Sequence, residues 1–370
     1  MRLLICAGGT GGGVYPALAV LQAATDMVEE TLWVGGKGGI EAGLVSRANI
    51  PYTQISAAGV HGVGLRALPG NLVKLARGYF EAVKILRSFQ PDVIFFTGGY
   101  VAVPMALAGR KVKTLLYVPD IEPGMALKVL SRFADMIALT DEKSSQYFKG
   151  KEDLAVTGYP VRNDLIPMTR ADALKALGFS DNLPVILVMG GSKGAHSINQ
   201  VVFDNLETIL KKAQLVHLTG ALEHQAAIEQ KQLLQPVLAQ RYQVHSYMHD
   251  ELSAAFSAAS LAVCRSGAST LGELPLFGLP AILVPYPYAW RYQKVNADYL
   301  VERGAALMLT ADHFSQALLP SVRELLSQPQ KLQAMRQAMR ALACPQAAHD
   351  LAELARQLAR QSHRTKEGLR

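Results

Sequence analysis

The chain has 370 residues, half of them hydrophobic, and this size and composition predict two folded domains, each with its own core. Its formal net charge of +7 at pH 7 favours anionic partners, but the lysines and arginines form no basic run, so we expect no nucleic-acid partner. No apolar stretch reaches the roughly 18 residues that a membrane span needs.

The first half of the chain alternates short β-rich runs with amphipathic helical stretches. Its opening residues, MRLLIC, predict a buried first strand rather than a signal peptide. The predicted strands are Arg2–Cys6, Thr31–Val34, Tyr52–Ile55, Asp92–Thr97, Thr114–Val118 and Met136–Leu139. The helical stretches between them include Tyr15–Val28 and Leu72–Phe89. Strands that are apolar on both faces and alternate with helices predict a parallel sheet covered on both sides.

A second series of the same kind follows a proline-bounded break, PVRNDLIP at Pro160–Pro167, which we interpret as a linker. Its predicted strands are Val185–Met189, Leu215–Leu218, Gln243–His245, Leu261–Cys264 and Ala281–Val284. The pattern predicts two tandem Rossmann-like domains, 1–163 and 164–344. The helical tail, about Gln330 to Gln361, contains Pro345, and we expect its last part, about 345–365, to pack back on the first domain.

Each domain opens with a strand that runs into a glycine loop, GGTGGG at 8–13 and GGSKGA at 190–195, and TGGYVAVP at 97–104 is a third such turn. Glycines let the backbone approach a ligand, the next helix points its free N–H groups at the same spot, and Thr10 and Ser192 add hydroxyl donors. One such loop equally allows plain strand–helix packing, but three predict an anion-binding cleft between the domains. Neither opening loop is a P-loop or a dinucleotide fingerprint, so we expect no NAD and no other cofactor.

The richest stretch for chemistry begins at Cys264. SGAST at 266–270 follows a strand and begins a helix, which makes another anion-ready helix start. Glu273 lies one turn into that helix, where a carboxylate either caps the helix or accepts two hydrogen bonds from ribose hydroxyls. Gln293 and Asn296 lie three residues apart and share a helix face, which is either solvated or ligand-binding. Their joint spacing favours ligand binding.

These motifs occur in one order along nearly the whole chain: GGTGG and YPALAV, PDVIFFTGGYVAVP, GYPVR, GGSKGA, CRSGAST and GLPAILVPY. In this set and order the chain resembles glycosyltransferase family 28. The resemblance implies the GT-B fold, in which two Rossmann-like domains have parallel sheets facing a central cleft. It also implies an inverting hexosyltransferase that moves N-acetylglucosamine from UDP-GlcNAc to an undecaprenyl-diphosphate-linked muramyl-pentapeptide in peptidoglycan synthesis, without a metal.

The resemblance implies substrate contacts position by position, with the UDP-sugar on the C-terminal domain and the acceptor on the N-terminal domain. The implied residues are Thr10, Gly11 and Gly12 near the donor sugar and diphosphate, Arg162 and Ser192 on the diphosphate, Met248 on the uracil through its backbone, Ala268, Ser269, Thr270 and Leu271 around the phosphates, Glu273 on the ribose, Gln293 on the N-acetylglucosamine hydroxyls, and Asn296 in the same motif. Arg162 and Ser192 also suit a diphosphate by their own chemistry, because guanidinium and hydroxyl groups donate well to it.

Three positions depart from the family pattern. Gly13 stands where the family has a histidine, YVPDIEPG at Tyr117–Gly124 replaces the family's HEQN segment, and Tyr288 stands in place of another histidine. The donor-side residues are therefore largely kept, whereas the acceptor and catalytic positions are altered. The altered positions leave open a related transferase with a different lipid acceptor, a non-catalytic nucleotide-sugar-binding paralogue, and a nucleotide-sugar epimerase of the same fold.

The base for the acceptor hydroxyl is a separate question. Asp120 is our candidate by motif position, with Glu122, His61 and His196 as alternatives. Asp120 and Glu122 also look like a metal-binding acid pair, but the implied mechanism needs no metal. The competing interpretation of Asp120 is a cap on the helix that follows Pro123.

The segment from Leu65 to Phe89 mixes apolar residues with Lys74, Arg77, Lys84 and Arg87 and contains almost no acid. Such a helix suits an enzyme that reaches a lipid-linked substrate at an anionic membrane surface, although an ordinary helix with a solvated basic face has the same pattern. Three separated cysteines predict free thiols in a reducing cytoplasm and no metal site. We therefore expect a cytoplasmic protein that is peripheral on the inner face of the cell membrane.

Overall fold

The computed structural model describes residues 1–8, 11–39, 41–59, 68–191, 194–249, 251–287, 290–310 and 312–367. The chain forms two compact units. The first contains residues 1–163 together with 345–370, and the second contains 164–344. The boundary between Asn163 and Asp164 falls in a segment, 157–169, that has neither helix nor strand.

The first unit is built on a parallel sheet of seven strands. Its strands are Arg2–Ala7 (β1), Glu30–Gly36 (β2), Tyr52–Ile55 (β3), Val93–Gly98 (β4), Lys113–Val118 (β5), Met136–Leu139 (β6) and Leu154–Val156 (β7), and their spatial order is β3-β2-β1-β4-β5-β6-β7. The α-helices between them are Gly11–Ala23 (α1), Glu41–Arg47 (α2), Leu68–Phe89 (α3), Ala102–Ala108 (α4) and Met125–Leu130 (α5). Thr25–Met27 and Glu142–Tyr147 are 3₁₀ helices.

The second unit repeats this plan with six parallel strands. The strands are Val185–Met189 (β8), Gln214–Leu218 (β9), Tyr242–His245 (β10), Leu261–Cys264 (β11), Ala281–Leu283 (β12) and Ala306–Met308 (β13), in the order β10-β9-β8-β11-β12-β13. The helices are Arg170–Ala176 (α6), His196–Asp204 (α7), Leu206–Leu210 (α8), His224–Gln232 (α9), Pro236–Ala239 (α10), Leu252–Ala258 (α11), Thr270–Phe277 (α12), Trp290–Glu302 (α13), Phe314–Ser327 (α14) and Pro329–Arg340 (α15). The last helix of the chain, Ala347–Glu367 (α16), belongs to the first unit.

The cores explain this layering. In β1, Leu3, Leu4 and Ile5 are all fully buried, because helices cover both faces of a parallel sheet. Leu3 and Ile5 face the layer of α1 and α16, whereas Leu4 faces the layer of α3, α4 and α5. Helix α16 buries Leu351, Ala355 and Leu358 at helical spacing against α1 and the sheet.

The structure confirms each strand that the sequence predicts, with ends that differ by at most two residues. Two strands were missed, β7 and β13, which are three residues long and lie at sheet edges. The predicted helix Tyr15–Val28 is misplaced, because α1 takes in the glycines from Gly11 and ends at Ala23. The helical tail is interrupted between α15 and α16, where Pro345 cannot donate a helical hydrogen bond.

Both sheets reverse their winding direction at one point, between β1 and β4 in the first unit and between β8 and β11 in the second. In doubly wound sheets, ligands bind beyond the carboxyl ends of the strands at this switch point. The loops that follow these four strands therefore define the candidate site of each unit.

Candidate functional site

In the first unit, two glycine turns meet at the switch point. Gly99, which follows β4, has a φ of +86°, and a Cβ there would lie 2.6 Å from the carbonyl oxygen of Gly8, which follows β1. Only glycine permits this approach. The Thr97 hydroxyl is buried and donates to the carbonyl oxygen of Gly13 over 2.7 Å, which fixes α1 against the end of β4. Helix α1 thus begins at the edge where both strands end.

Gly11 is the first residue of α1 and Gly12 the second, where backbone N–H groups have no partner within the helix. One turn on, the Tyr15 ring lies under the guanidinium of Arg162, with 5.1 Å between the guanidinium carbon and the ring centroid. The same ring is next to Gly11, since a Cβ on Gly11 would lie 3.2 Å from the Tyr15 Cε2. The tyrosine therefore holds Arg162 beside the start of α1, a contact that sequence reasoning missed.

Four predicted positions lie outside the described residues: Thr10, His61, Ser192 and Tyr288. Gly13, by contrast, is buried within α1, and a Cβ there would lie 3.2 Å from the Thr97 hydroxyl oxygen. A side chain at this position would therefore press on the Thr97 hydroxyl that bonds the helix.

Glu41 is a second residue of this region that sequence reasoning missed. Its side chain is buried at the start of α2 and accepts a 2.7 Å hydrogen bond from the Gly36 N–H. The carboxylate fills the space beside Gly8 and Gly39, where a Cβ would lie 2.6 and 2.1 Å from it. Several glycines on either side of one glutamate were the available signal, and the glycines make room for its carboxylate.

Asp120 and Glu122 follow β5 on the same carboxyl edge of the sheet. Asp120 is half-buried and lies four residues before Gly124, which is the N-cap residue of α5. Glu122 is buried, with its Oε1 3.5 Å from the Lys128 Nζ. The Ser144 hydroxyl holds the intervening Ile121 carbonyl at 2.9 Å. Asp120 is therefore the more exposed of the two carboxylates.

In the second unit, the loop after β8 contains Gly191 and Gly194, with φ angles of +88° and +77°. A Cβ on Gly194 would lie 2.2 Å from the carbonyl oxygen of Thr219, at the end of β9, so the loop is pressed against the neighbouring strand. In the part of the chain that the structure describes, and apart from its neighbours in sequence, nothing lies within 4 Å of a Cβ placed on Gly191. Helix α7 begins two residues after the loop's last glycine, at His196.

The loop after β11 is tied to α13. The Ser266 hydroxyl donates to the Gln293 carbonyl over 2.7 Å, and the Asn296 amide donates to the Ser266 carbonyl over 3.1 Å. Asn296 is fully buried, so the interpretation of its helix face as solvated is wrong, and its side chain positions this loop. The Gln293 Oε1 accepts from the Tyr286 N–H at 2.8 Å, which turns the amide nitrogen of Gln293 away from that contact.

Helix α12 then starts at Thr270, whose hydroxyl donates to the Gly267 carbonyl at 2.6 Å. Ala268, Thr270 and Leu271 are buried and Ser269 is half-buried, so this segment presents backbone rather than side chains. Glu273 is half-buried in the first turn of this helix. The burial of Cys264, and to a smaller extent the charge of Glu273, raise the pKa of the Cys264 thiol to about 12. Helix α12 ends with its C-cap residue Gly278, which has a left-handed φ of +57°.

Met248 and Arg265 complete the second-unit edge. Met248 is buried just after β10, two strands away from β8. Arg265, which sequence reasoning missed, donates to the Val284 carbonyl at 3.0 Å and to the Ser197 hydroxyl at 2.9 Å. It thereby ties the ends of β11 and β12 to the start of α7. A lone arginine directly after a buried strand was the available signal.

A buried polar chain lies beside the same edge. The Asn199 amide nitrogen donates to the Thr219 carbonyl at 2.8 Å and to Glu223 at 2.5 Å, so its Oδ1 accepts from the His217 Nε2 at 3.0 Å. The Nδ1 of His217 then accepts from the Tyr242 hydroxyl at 2.9 Å. This chain of hydrogen bonds fixes the Thr219 carbonyl against which the glycine loop is packed.

The buried histidine predicts a pH dependence. Burial lowers the pKa of His217 to about 3. Below about pH 6.5 the imidazole is therefore protonated in the unfolded chain but stays neutral in the folded chain. Stability should therefore fall as the pH decreases from about 6.5 towards 3, with this residue contributing at most about 1.4 kcal/mol per pH unit. Urea unfolding at pH 7.5 and 5.0 measures the difference, which His217→Gln should reduce and the exposed-site control His313→Gln should leave unchanged. Equal pH dependence in His217→Gln and the parent would contradict the assignment.

Among the described residues, no cluster of three or more histidine, cysteine, aspartate or glutamate side chains is placed to hold a metal ion. Nor is any helix in the described ranges long and apolar enough to cross a membrane.

Two doubly wound units, each with a glycine loop at its switch point, define the GT-B architecture. The models of the N-terminal and C-terminal domains of glycosyltransferase family 28 match residues 3–139 and 185–354. The chain belongs to glycosyltransferase family 28.

The relatives agree with this assignment. Proteins of Roseiflexus sp. and Desulforudis audaxviator are each 38% identical to the chain and bear the name UDP-N-acetylglucosamine–N-acetylmuramyl-(pentapeptide) pyrophosphoryl-undecaprenol N-acetylglucosamine transferase. The matches cover 96% and 97% of this chain and 94% and 99% of the relatives. The crystal structure of Acinetobacter baumannii MurG is similar with a TM-score of 0.76 and 28% identity, covering 96% of this chain and 99% of that one. A UDP-GlcNAc 2-epimerase from Neisseria meningitidis shares the fold, with a TM-score of 0.67 at 14% identity, covering 96% of this chain and 99% of that one.

Proposed function

We propose that the protein is an inverting glycosyltransferase that moves N-acetylglucosamine from UDP-GlcNAc to an undecaprenyl-diphosphate-linked muramyl-pentapeptide. The switch point of the second unit carries this proposal, because it combines a glycine loop, a helix start and a carboxylate one turn into that helix. The names of the near full-length relatives support the same donor and acceptor. In this scheme the second unit binds the donor and the first unit binds the acceptor.

The geometry supports a specific set of proposed donor contacts. The backbone from Ala268 to Leu271 at the start of α12 meets the phosphates, since helix N-termini attract anions. The donors are the N–H groups of Ala268 and Ser269, because those of Thr270 and Leu271 donate to the Gly267 and Ala268 carbonyls over 3.0 Å. Glu273 accepts hydrogen bonds from the ribose hydroxyls. With its Oε1 engaged by Tyr286, Gln293 offers its amide nitrogen to the sugar hydroxyls. Asn296 supports these contacts indirectly, because its side-chain amide donates to the Ser266 carbonyl and so positions the loop before α12.

The remaining contacts complete the proposal. The Met248 backbone meets the uracil, and Ser192 adds a hydroxyl to the diphosphate. We assign Thr10, Gly11 and Gly12 of the first unit to contacts with the donor sugar and diphosphate, because the start of α1 has free N–H groups.

Displacement at the anomeric carbon needs two aids. The leaving diphosphate must be stabilised, for which the helix starts and Arg162 suffice without a metal. The acceptor hydroxyl must lose its proton, and Asp120, half-buried at the carboxyl edge of the first sheet, is the proposed base. Asp120→Asn should lower kcat by about 10²–10⁴-fold, and normal turnover in this variant would eliminate Asp120 from the role.

A turnover assay tests the function as a whole. UDP release from UDP-GlcNAc is measured with the undecaprenyl-linked muramyl-pentapeptide, with a diacylglycerol, and with no acceptor. We expect release only with the first, and a product whose anomeric configuration is inverted by NMR. Glu273→Ala should raise the KM for UDP-GlcNAc by roughly 10–100-fold, since a hydrogen bond to a charged group contributes about 1.5–3 kcal/mol, whereas Glu324→Gln should not.

Other outcomes of this assay point elsewhere. Appearance of a 2-epimer without acceptor would identify an epimerase. Binding of UDP without turnover on any lipid would identify a nucleotide-sugar-binding paralogue. UDP release with the diacylglycerol but not with the muramyl-pentapeptide lipid would identify the diacylglycerol as the acceptor, and UDP-GlcNAc would remain the assigned donor.

We further propose that the protein works in the cytoplasm, bound peripherally to the anionic inner face of the cell membrane through α3. This helix exposes 53% of Leu72, 68% of Val73 and 71% of Phe80, so one element carries three exposed apolar side chains. Lys84 and Arg87 follow on the same helix. Exposed apolar groups beside cations match the boundary between acyl chains and anionic headgroups.

Vesicle binding tests this surface. Lys84→Glu/Arg87→Glu should weaken partition onto vesicles containing anionic lipid by roughly tenfold or more, because each cation near such a surface contributes about 1 kcal/mol. The matched control is Lys111→Glu/Lys149→Glu, which changes the net charge equally on the same unit at exposed positions. Equal losses in both variants would contradict a specific role for α3.

A further inference from the structure

The second unit contains a cavity of about 540 Å³ that none of the proposed donor contacts uses. It lies between α8, α14 and the start of β8. Its floor is the buried side chains of Ile186, Ile209 and Val322, and its walls include the half-buried Leu319 and Leu326. This volume is within the about 300–1,000 Å³ that small-molecule sites typically have.

The mouth of the cavity is cationic. Lys211, Lys212 and Arg323 line it, and no acidic residue does so within the described part of the chain. Lys211 is 3.8 Å from the Glu207 carboxylate, with both side chains largely exposed. Among the described residues, neither Lys212 nor Arg323 has an ion-pair partner. Two exposed cations thus stand unneutralised over an apolar interior.

The cavity is remote from the candidate donor site of the same unit. It meets β8 at Pro184 and Ile186, whereas the glycine loop follows the other end of this strand, at Met189. At about 3.3 Å per residue, the two ends are roughly 13 Å apart. A ligand in the cavity therefore leaves the loops after β8 and β11 accessible.

We propose that this cavity binds an anionic amphiphile with a single hydrocarbon chain. The chain enters between α8 and α14, and its phosphate or carboxylate head pairs with Lys212 and Arg323. The hydroxyls of Thr208 and Ser327 also line the cavity, but the rest of its interior is apolar and would leave most hydroxyls of a sugar or a free nucleotide buried without partners. The cations at the mouth select a charged head over a neutral one. The site is independent of the proposed transferase activity.

Calorimetric titration of the full chain with palmitoyl lysophosphatidate, below its micelle concentration, tests the proposal. Monopalmitoylglycerol has the chain without the charge, and glycerol 3-phosphate has the head without the chain. We expect the lysophosphatidate to bind at least tenfold more tightly than either, and equally well in the presence of UDP. Lys212→Glu/Arg323→Glu should weaken its binding at least tenfold.

Two further variants make the test specific. Val322→Phe fills the cavity and should abolish lysophosphatidate binding. If this variant fails to fold, Leu319→Trp, which fills the cavity from its half-buried wall, takes its place with the same expected result. Lys111→Glu/Lys149→Glu, at exposed positions of the first unit, is the control for the change in charge and should bind as the parent does. Unchanged affinity in Lys212→Glu/Arg323→Glu, loss in the Lys111→Glu/Lys149→Glu control, or equal binding of the neutral monopalmitoylglycerol would overturn the proposal. Dimerisation abolished by the filling variants, without lysophosphatidate binding, would identify a second copy of the chain as the occupant instead.

Discussion

Replacement of Arg162 by alanine is expected to lower kcat by about 10²–10³-fold, the loss typical when a donor to developing negative charge is removed. The charge in question is that on the departing diphosphate. Arg162→Lys should recover only part of the loss, because an ammonium group does not reproduce the planar, two-pronged donation of a guanidinium. Steady-state turnover of UDP-GlcNAc measures the effect, with the exposed Arg132→Ala as the control for loss of one positive charge.

A smaller loss of turnover is expected when Tyr15, the residue that positions Arg162, is replaced. Tyr15 offers its ring to the guanidinium at 5.1 Å, a contact of about 0.5–1 kcal/mol at a partly exposed site. Tyr15→Phe keeps the ring and should retain turnover, whereas Tyr15→Leu should lose roughly twofold to fivefold. If Arg162→Ala turned over normally, the diphosphate role would fail. If Arg162→Ala lost turnover but Tyr15→Leu kept it, Arg162 would retain its role and its contact with the Tyr15 ring would not contribute to catalysis.

Much of the fold could be predicted because its strands are buried on both faces. Runs such as Leu3 to Ile5 are apolar without interruption, and no competing pattern explains them. The three-residue edge strands β7 and β13 could not be found this way, since their segments are too short for a periodic signal. The start of α1 was misplaced because glycine has low helix propensity, yet Gly11 to Gly13 are helical under tertiary constraint.

The candidate site likewise has features that the sequence predicts and contacts that it does not. The glycine loops and the helix start at Thr270 are local features, and local features can be read from spacing. The contacts that support them are not local: Tyr15 with Arg162, and Arg265 with Ser197, join segments that are far apart in sequence. His217 is an extreme case, because nothing in its own strand reveals that Asn199 and Tyr242 bracket its ring. Side-chain contacts between segments need the tertiary structure.

Gly194 and Gly191 give the sharpest test of why the second loop has glycines. Both have a positive φ, so alanine at either position incurs a backbone strain of about 1–2 kcal/mol. At Gly194, however, the added Cβ would lie 2.2 Å from the Thr219 carbonyl oxygen, which also accepts the hydrogen bond from the Asn199 amide. Gly194→Ala must therefore move the loop or break that buried bond, an added cost of about 1–3 kcal/mol.

Urea unfolding of the two variants separates these contributions. Gly191→Ala, whose added Cβ has no atom of the described residues within 4 Å beyond its sequence neighbours, should lose only the strain energy. Gly194→Ala should be less stable than Gly191→Ala by about 1–3 kcal/mol and should bind UDP more weakly. The reason is that the loop can no longer approach the end of β9. Equal destabilisation would mean that the close approach to Thr219 does not require the glycine. Backbone conformation alone would then account for both residues, and the hydrogen-bonded chain through Asn199 and His217 would have no part in shaping the loop.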